Sequence, residues 1–259
     1  MKRIAYIFLA ACGTNMTPQP APVSALPSCV PNRDGTITAD ELPIALGATL
    51  AYYAGTNRMI DQTAKSGVYD LSQERPDDTL VHLGPVALDG QWYAAQFPSG
   101  EFVTDAGGGI DGIYHQDDRA LWLDGTASHD MNPAAGKTLV IYTQPVPVLR
   151  FPITVGDAYT VTAPLPSATV DGLPFVGTDT YSIAVADTAR LDVPYVQFSP
   201  TLRVQTSLVR AAGSTSVGER STSYLFECFG EVAHADSNTN ESDANFTNAA
   251  VLRRFALGE

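Results

Sequence analysis

Thr180-Tyr181-Ser182-Ile183-Ala184-Val185-Ala186 and Leu202-Arg203-Val204-Gln205-Thr206-Ser207-Leu208-Val209 alternate, with the larger apolar side chains at every second position. Successive side chains of a strand point to opposite faces, so this period of two predicts strands with one face in a core and one face wet. Ser223-Tyr224-Leu225-Phe226-Glu227-Cys228-Phe229-Gly230-Glu231-Val232 reads as a last long strand. Upstream, Thr138 to Tyr142 leads into Gln144 to Val161. There Pro145, Pro147 and Pro152 mark edge or crossing positions, and Gly156-Asp157 marks a turn.

Shorter β-prone and apolar runs fill the first half. Thr49 to Ala54 stops at Gly55-Thr56-Asn57, and Val68 to Leu71, Thr79 to Leu83, Gln91 to Phe97, Glu101 to Thr104, Gly112 to His115 and Ala120 to Leu123 follow. Turn residues close each run. Strands spaced so regularly predict an antiparallel meander, and 259 residues suit one large all-β unit. The fold class is therefore mainly β, an antiparallel sandwich or incomplete barrel, with residues 29–259 as a single domain. Trp92, Phe97, Trp122 and Tyr224 are the aromatic residues expected to line a concavity of that sheet. The polar stretch from Ala235 to Asn248 reads as a mobile loop, and Ala249 to Leu257 as a short closing segment.

The N-terminus carries an address. Met1-Lys2-Arg3 precedes an apolar run from Ile4 to Ala11, far shorter than the roughly 20 residues a spanning helix needs, and Leu9-Ala10-Ala11-Cys12 closes it. This order resembles a bacterial lipoprotein signal peptide with its Leu-x-x-Cys lipobox. An ordinary signal peptide with an incidental cysteine is the alternative. The resemblance implies that residues 1–11 are removed, that Cys12 is acylated, and that Gly13 beside it permits an outer-membrane destination. Several acyl chains give the stable anchoring that one chain does not. Residues 12–28, with Pro18, Pro20, Pro22 and Pro27, then form an extended tether holding the domain off the bilayer.

The chain is acidic, with a net charge of −13; 15 basic residues less Lys2 and Arg3 against 28 acids leaves −15 after processing. Nucleic acid is excluded as a partner by that charge. Besides Cys12 the chain has Cys29 and Cys228, an even pair in an oxidising compartment. A disulfide is expected, with two reduced buried thiols as the alternative.

Val30-Pro31-Asn32-Arg33-Asp34-Gly35-Thr36-Ile37-Thr38-Ala39-Asp40-Glu41 resembles an EF-hand loop. Asn32, Asp34, Thr36 and Glu41 fall where calcium ligands would be, and Gly35 sits at the turn. Val30 replaces the first-position acid and Pro31 stands beside it. The same residues also make a tight Asp34-Gly35 turn and a capping box from Thr38 to Glu41, and this is the favoured reading. Calcium is the one candidate cofactor.

Asp105-Ala106-Gly107-Gly108-Gly109-Ile110-Asp111 joins two short strands, with His115, Asp117, Asp124, His129 and Asp130 soon after. A polar hairpin loop accounts for the stretch, while a metal-assisted hydrolase using Asp105, Asp111 and His115 is the catalytic alternative. No serine elbow, His-Glu-x-x-His or phosphate loop occurs.

From about residue 138 to 235, a Phe-Pro-x-x-Val-Gly-Asp segment starting at Phe151, two alternating strands and an aromatic strand ending Phe229-Gly230-Glu231-Val232 follow in order. This order is similar to uncharacterised Gram-negative envelope lipoproteins, some of which look like open β-barrel lipoprotein carriers. It implies a curved antiparallel sheet around an apolar cavity and assigns no functional residue. The expected function is a non-enzymatic, lipid-anchored envelope protein that binds an apolar ligand or a partner protein in the concavity. A calcium-stabilised interaction module and a hydrolase are the alternatives.

Overall fold

Residues 19–20 and 29–258 are described by a computed structural model of the chain. The signal segment, Cys12 and most of the tether lie outside the described residues. The strands are β1 (Gln19–Pro20), β2 (Leu50–Met59), β3 (Val68–Asp70), β4 (Thr79–Leu83), β5 (Val86–Ala87), β6 (Phe102–Gly107), β7 (Ile110–Gln116) and β8 (Ala120–Ser128). After them come β9 (Leu139–Arg150), β10 (Ala158–Val170), β11 (Leu173–Val193), β12 (Val196–Ala212), β13 (Thr215–Phe226), β14 (Gly230–Ser237) and β15 (Asn248–Ala256). Among the described residues no helix is long and apolar enough to cross a membrane.

All fifteen belong to one sheet in the order β4-β2-β15-β14-β13-β12-β11-β10-β9-β8-β7-β6-β5, antiparallel throughout, with β1 and β3 added in parallel to β12 and β11. The path is not closed, so the molecule is a single-domain incomplete barrel and neither a sandwich nor a closed barrel. Yet its two end strands are consecutive in the chain. β4 pairs with β2, β5 pairs with β6, and only Gly84 and Pro85 separate them. A Cβ on Gly84 would stand 2.0 Å from the Ala48 carbonyl oxygen, and Gly47 N–H donates to the Pro85 carbonyl at 2.9 Å. Residues 79–87 thus serve both ends of the sheet from one segment.

Contacts that skip strands identify the inner face. The Tyr142 hydroxyl on β9 reaches Asp179 and Tyr181 on β11, each at 2.7 Å, across β10. Arg210 grips Asp179 with two hydrogen bonds of 2.8 and 2.7 Å, and Asp179 is fully buried. Around them Leu123, Val140, Leu165, Ile183, Val204 and Leu225 form the inner apolar core, which Ile37 and Leu42 of the N-terminal segment join.

Two further cores lie on the opposite face. In one, Tyr69, Phe198, Tyr224, Phe226, Ala233, Phe246 and Leu252 pack where residues 60–73 and the loop before β15 cover the sheet. In the other, Tyr93, Phe97, Val103, Ile113 and Ala127 pack beneath residues 88–100. The alternation on β11 runs buried at Tyr181, Ile183 and Val185, and a register shift between Val185 and Asp187 then changes the face. Such a bulge re-aims a side chain. Asp187 thereby meets Arg203, which is 5 % exposed and also bonds the Gln62 carbonyl and Asn245.

Several segments depart from their sequence reading. Gln91 to Phe97 is a 3-10 turn over Ala94–Gln96, because Tyr93 and Phe97, four apart, both enter one core. The strand from Leu50 continues through Gly55, where a Cβ would meet Arg58 and Asp78 at 2.3 Å. Ser223 to Val232 is broken between β13 and β14 at Cys228, whose φ is +66°. The stretch after Ala235 is tied down: β14 runs to Ser237, Asn245 accepts from Arg203, and Phe246 is 1 % exposed.

Cys29 and Cys228 form the expected disulfide, with Cα atoms 5.6 Å apart and a sequence separation of 199. For a loop that long the chain-entropy model gives about 5 kcal/mol as an upper figure. The double variant Cys29→Ser/Cys228→Ser should lose about 2–5 kcal/mol in urea unfolding, and an unchanged midpoint would contradict this role.

Candidate functional site at the seam of the sheet

Beyond the Gly84-Pro85 junction, where the chain pairs with both β2 and β6, the two ends of the sheet part. The register of β4 runs from Leu50 opposite Leu83 to Ala54 opposite Thr79, all on its β2 side. That of β6 pairs Val103 and Phe102 with β5, while Thr104, Asp105 and Gly107 pair with β7 alone. The resulting groove has a volume of about 590 Å³, and His82, Leu83, Val103, Asp105, Ile110 and His129 are among its lining. That size lies within the range of about 300–1,000 Å³ common for binding sites.

One wall is the β6–β7 hairpin. Gly107, Gly108 and Gly109 all have positive φ, which glycine adopts without strain, so the tip can turn tightly. The predicted polar hairpin is thereby found. Asp105 and Asp111 stand opposite one another in register. Asp111, 4 % exposed, accepts from the Tyr93 hydroxyl at 2.6 Å and lies 3.2 Å from His129 Nδ1 through each oxygen. The hydrogen bond with Asp111 holds the exposed His129 imidazole above its ordinary pKa, and Tyr93 is pushed up first by burial and then by Asp111. The dyad orients an imidazole whose other nitrogen is free to donate or to accept a proton. Among the described residues no side-chain nucleophile hydrogen-bonds it.

The seam leads to the inner face. Arg253 Nη1 on β15 lies 3.9 Å from Asp105 Oδ2 on β6, although eight strands lie between β15 and β6 along the sheet path. Opposite Arg253 in register is His234, which bonds Glu231 through Nδ1 and Asp236 through Nε2, both at 2.8 Å. Ser223 donates to the same Glu231 at 2.5 Å. Burial opposes charge on His234, but Glu231 and Asp236 overcome it and raise its pKa to about 10. Burial likewise opposes charge on Glu231, and His234 with Arg253 nevertheless lowers it to about 2.

The hydrolase set is not assembled. His115 pairs with Asp124 at 2.7 Å and stacks on Trp122, so His129 takes the position beside Asp111. Among the described residues no group of three His, Cys, Asp or Glu could hold a metal. In the EF-hand-like stretch, the Thr38–Glu41 capping box is present, and the oxygens of Asn32, Asp34 and Glu41 accept from donors of the loop itself. Thr36 enters through its backbone N–H, which donates to Asp34.

The four aromatic residues fall in three separate places. Tyr224 packs against Tyr69 on the outer face, Trp92 and Phe97 belong to the core under residues 88–100, and Trp122 stacks on His115. They share no concavity. The seam itself escaped the sequence reading, because it depends on which strands are neighbours and local periodicity does not report that. Comparison of the chain with protein-family models, with curated proteins and with solved structures finds no match.

The inner-face cluster makes stability depend on pH in a stated direction. His234, raised from 6.5 to about 10, contributes stability that is complete below pH 6.5 and is lost as pH rises towards 10. Glu231, lowered from 4.5 to about 2, contributes stability that is lost as pH falls from 4.5 towards 2. Urea unfolding at pH 6 and pH 9.5 should show an alkaline loss in the native chain that is much smaller in His234→Gln. Equal losses in the two would refute the assignment.

Proposed function

We propose that the chain is a non-enzymatic binding protein of the cell envelope, anchored at an outer membrane through acyl chains on Cys12, and that it takes a partner protein. The observation that carries this reading is the open seam: among the described residues, an otherwise continuous sheet leaves two strand edges bare on either side of a groove. An unpaired edge is a template for another chain unless something blocks it. The apolar-ligand form of the proposal has less support. The inner face is packed with side chains from β8 to β13, and towards β14 and β15 it carries Glu231, His234 and Arg253. An apolar molecule there would take water from Arg253, whose acid Asp105 lies 3.9 Å away, and from the charged Glu231–His234 pair beside it.

The anchor rests on the lipobox-like order of residues 1–12. Removal of residues 1–11 and acylation of Cys12 would leave an acidic domain on a proline-rich tether, a usual arrangement for reaching a partner away from a bilayer.

The test is the mass of the full chain made in a Gram-negative host and purified in detergent. Cleavage before Cys12 with acyl groups on it is expected, and a native mass with no further lipid. An unmodified Cys12 would remove the anchor. A lipid-sized excess on the folded protein, lost only on denaturation, would replace the partner reading with the apolar-ligand one.

A further inference from the structure

We propose that the seam is the docking site of an extended, positively charged segment of the partner protein, which adds as a strand to the bare edges of β4 and β6. This mode rests on the partner-binding reading above and adds to it the shape and the charge of what is bound.

Shape follows from the backbone. The side of β4 away from β2 has no paired strand among the described residues, and Thr104, Asp105 and Gly107 of β6 pair on the β7 side alone. Main-chain N–H and C=O groups are obligatory hydrogen-bonding groups, and an extended peptide satisfies a row of them at once. The five residues of β4 give an edge about 17 Å long, enough to align five residues of a guest strand. Leu83, Val86, Val103 and Ile110 in the lining supply apolar contacts for the side chains that a guest strand sends to one face.

Charge follows from the side chains. Asp105, Asp111, Asp130 and Asp171 line the groove, and among the described residues no lysine or arginine does. Asp111 is shared by Tyr93 and His129, and Arg253 approaches Asp105 no closer than 3.9 Å. Among the described residues no ion pair engages Asp130 or Asp171, which leaves acids at the groove for a cationic guest. The net charge of −13 draws such a guest to the protein from a distance and repels anionic surfaces.

The experiment uses the full processed chain in detergent with three capped eight-residue probes: Lys-Val, Thr-Val and Glu-Val, each repeated four times. Backbone hydrogen exchange reads the site, and titration reads affinity. The lysine probe should protect amides in both Thr79–Leu83 and Phe102–Gly107, and it should bind more tightly than the threonine probe, with the glutamate probe weakest. Asp105→Asn/Asp130→Asn, with an unchanged melting temperature, should weaken the lysine probe about fivefold at low salt.

Protection elsewhere, equal affinity for the three probes, or no binding would overturn the inference. None of these touches the partner-binding reading, which falls on the native mass instead.

Discussion

A sheet of this size must find partners for two edges, and here one segment serves both. Thr79 to Leu83 pairs with β2, Val86 and Ala87 pair with β6, and the Gly84-Pro85 junction between them is seated against the backbone of Ala48 and Gly47. The consequence is geometric. The first and last strands of the path are brought together at one level and left apart at the next, so the barrel is incomplete and the incompleteness is confined to one seam. Unpaired edges invite association, and confining them to a groove with acidic walls restricts which chains can use them.

The interior is consistent with that arrangement. On the side of β8 to β13 the inner face is filled by apolar side chains, with the Tyr142–Tyr181–Asp179–Arg210 group buried among them. Removing one partner of such a group would cost about 3–5 kcal/mol, because the other is left charged and dry. Towards β14 and β15 the face is ionic, and it meets the seam where Arg253 approaches Asp105. The outer face is covered separately. Arg254, 1 % exposed, bonds the Leu71 and Gln73 carbonyls and pairs with Asp78, and Arg58 joins the same aspartate. These arginines tie residues 71–78, the approach to β4, to β2 and β15.

Periodicity made the strands legible and could not order them. Thr79 to Leu83 is a strand with the bounds of its short apolar run, and Tyr181, Ile183 and Val185 are buried as their period of two requires. The runs fail where a side chain does something local patterning does not record. Tyr93 and Phe97 share a core at helical spacing, Asp187 changes face at a bulge, and Cys228 turns the chain to reach Cys29. The disulfide was legible because only two cysteines remained. The seam was not, since β15 must return some two hundred residues along the chain to pair with β2, and no short stretch encodes that pairing. His129 stood in view as one of several polar residues near the glycine-rich hairpin. Its distinction as the partner of Asp111 comes from a contact across that hairpin.

The measurement that tests the junction most directly is the thermal unfolding of Gly84→Ala beside Gly218→Ala. A Cβ at position 84 would stand 2.0 Å from the Ala48 carbonyl oxygen, whereas one at position 218 has its nearest neighbour at 3.8 Å. Overpacking of the first kind costs about 1–3 kcal/mol, so Gly84→Ala should melt at least about 3 °C below the native chain while Gly218→Ala stays close to it. If Gly84→Ala melts with the native protein, the two ends of the sheet are not held together at Gly84 and Pro85, and the seam is not the defined feature described above.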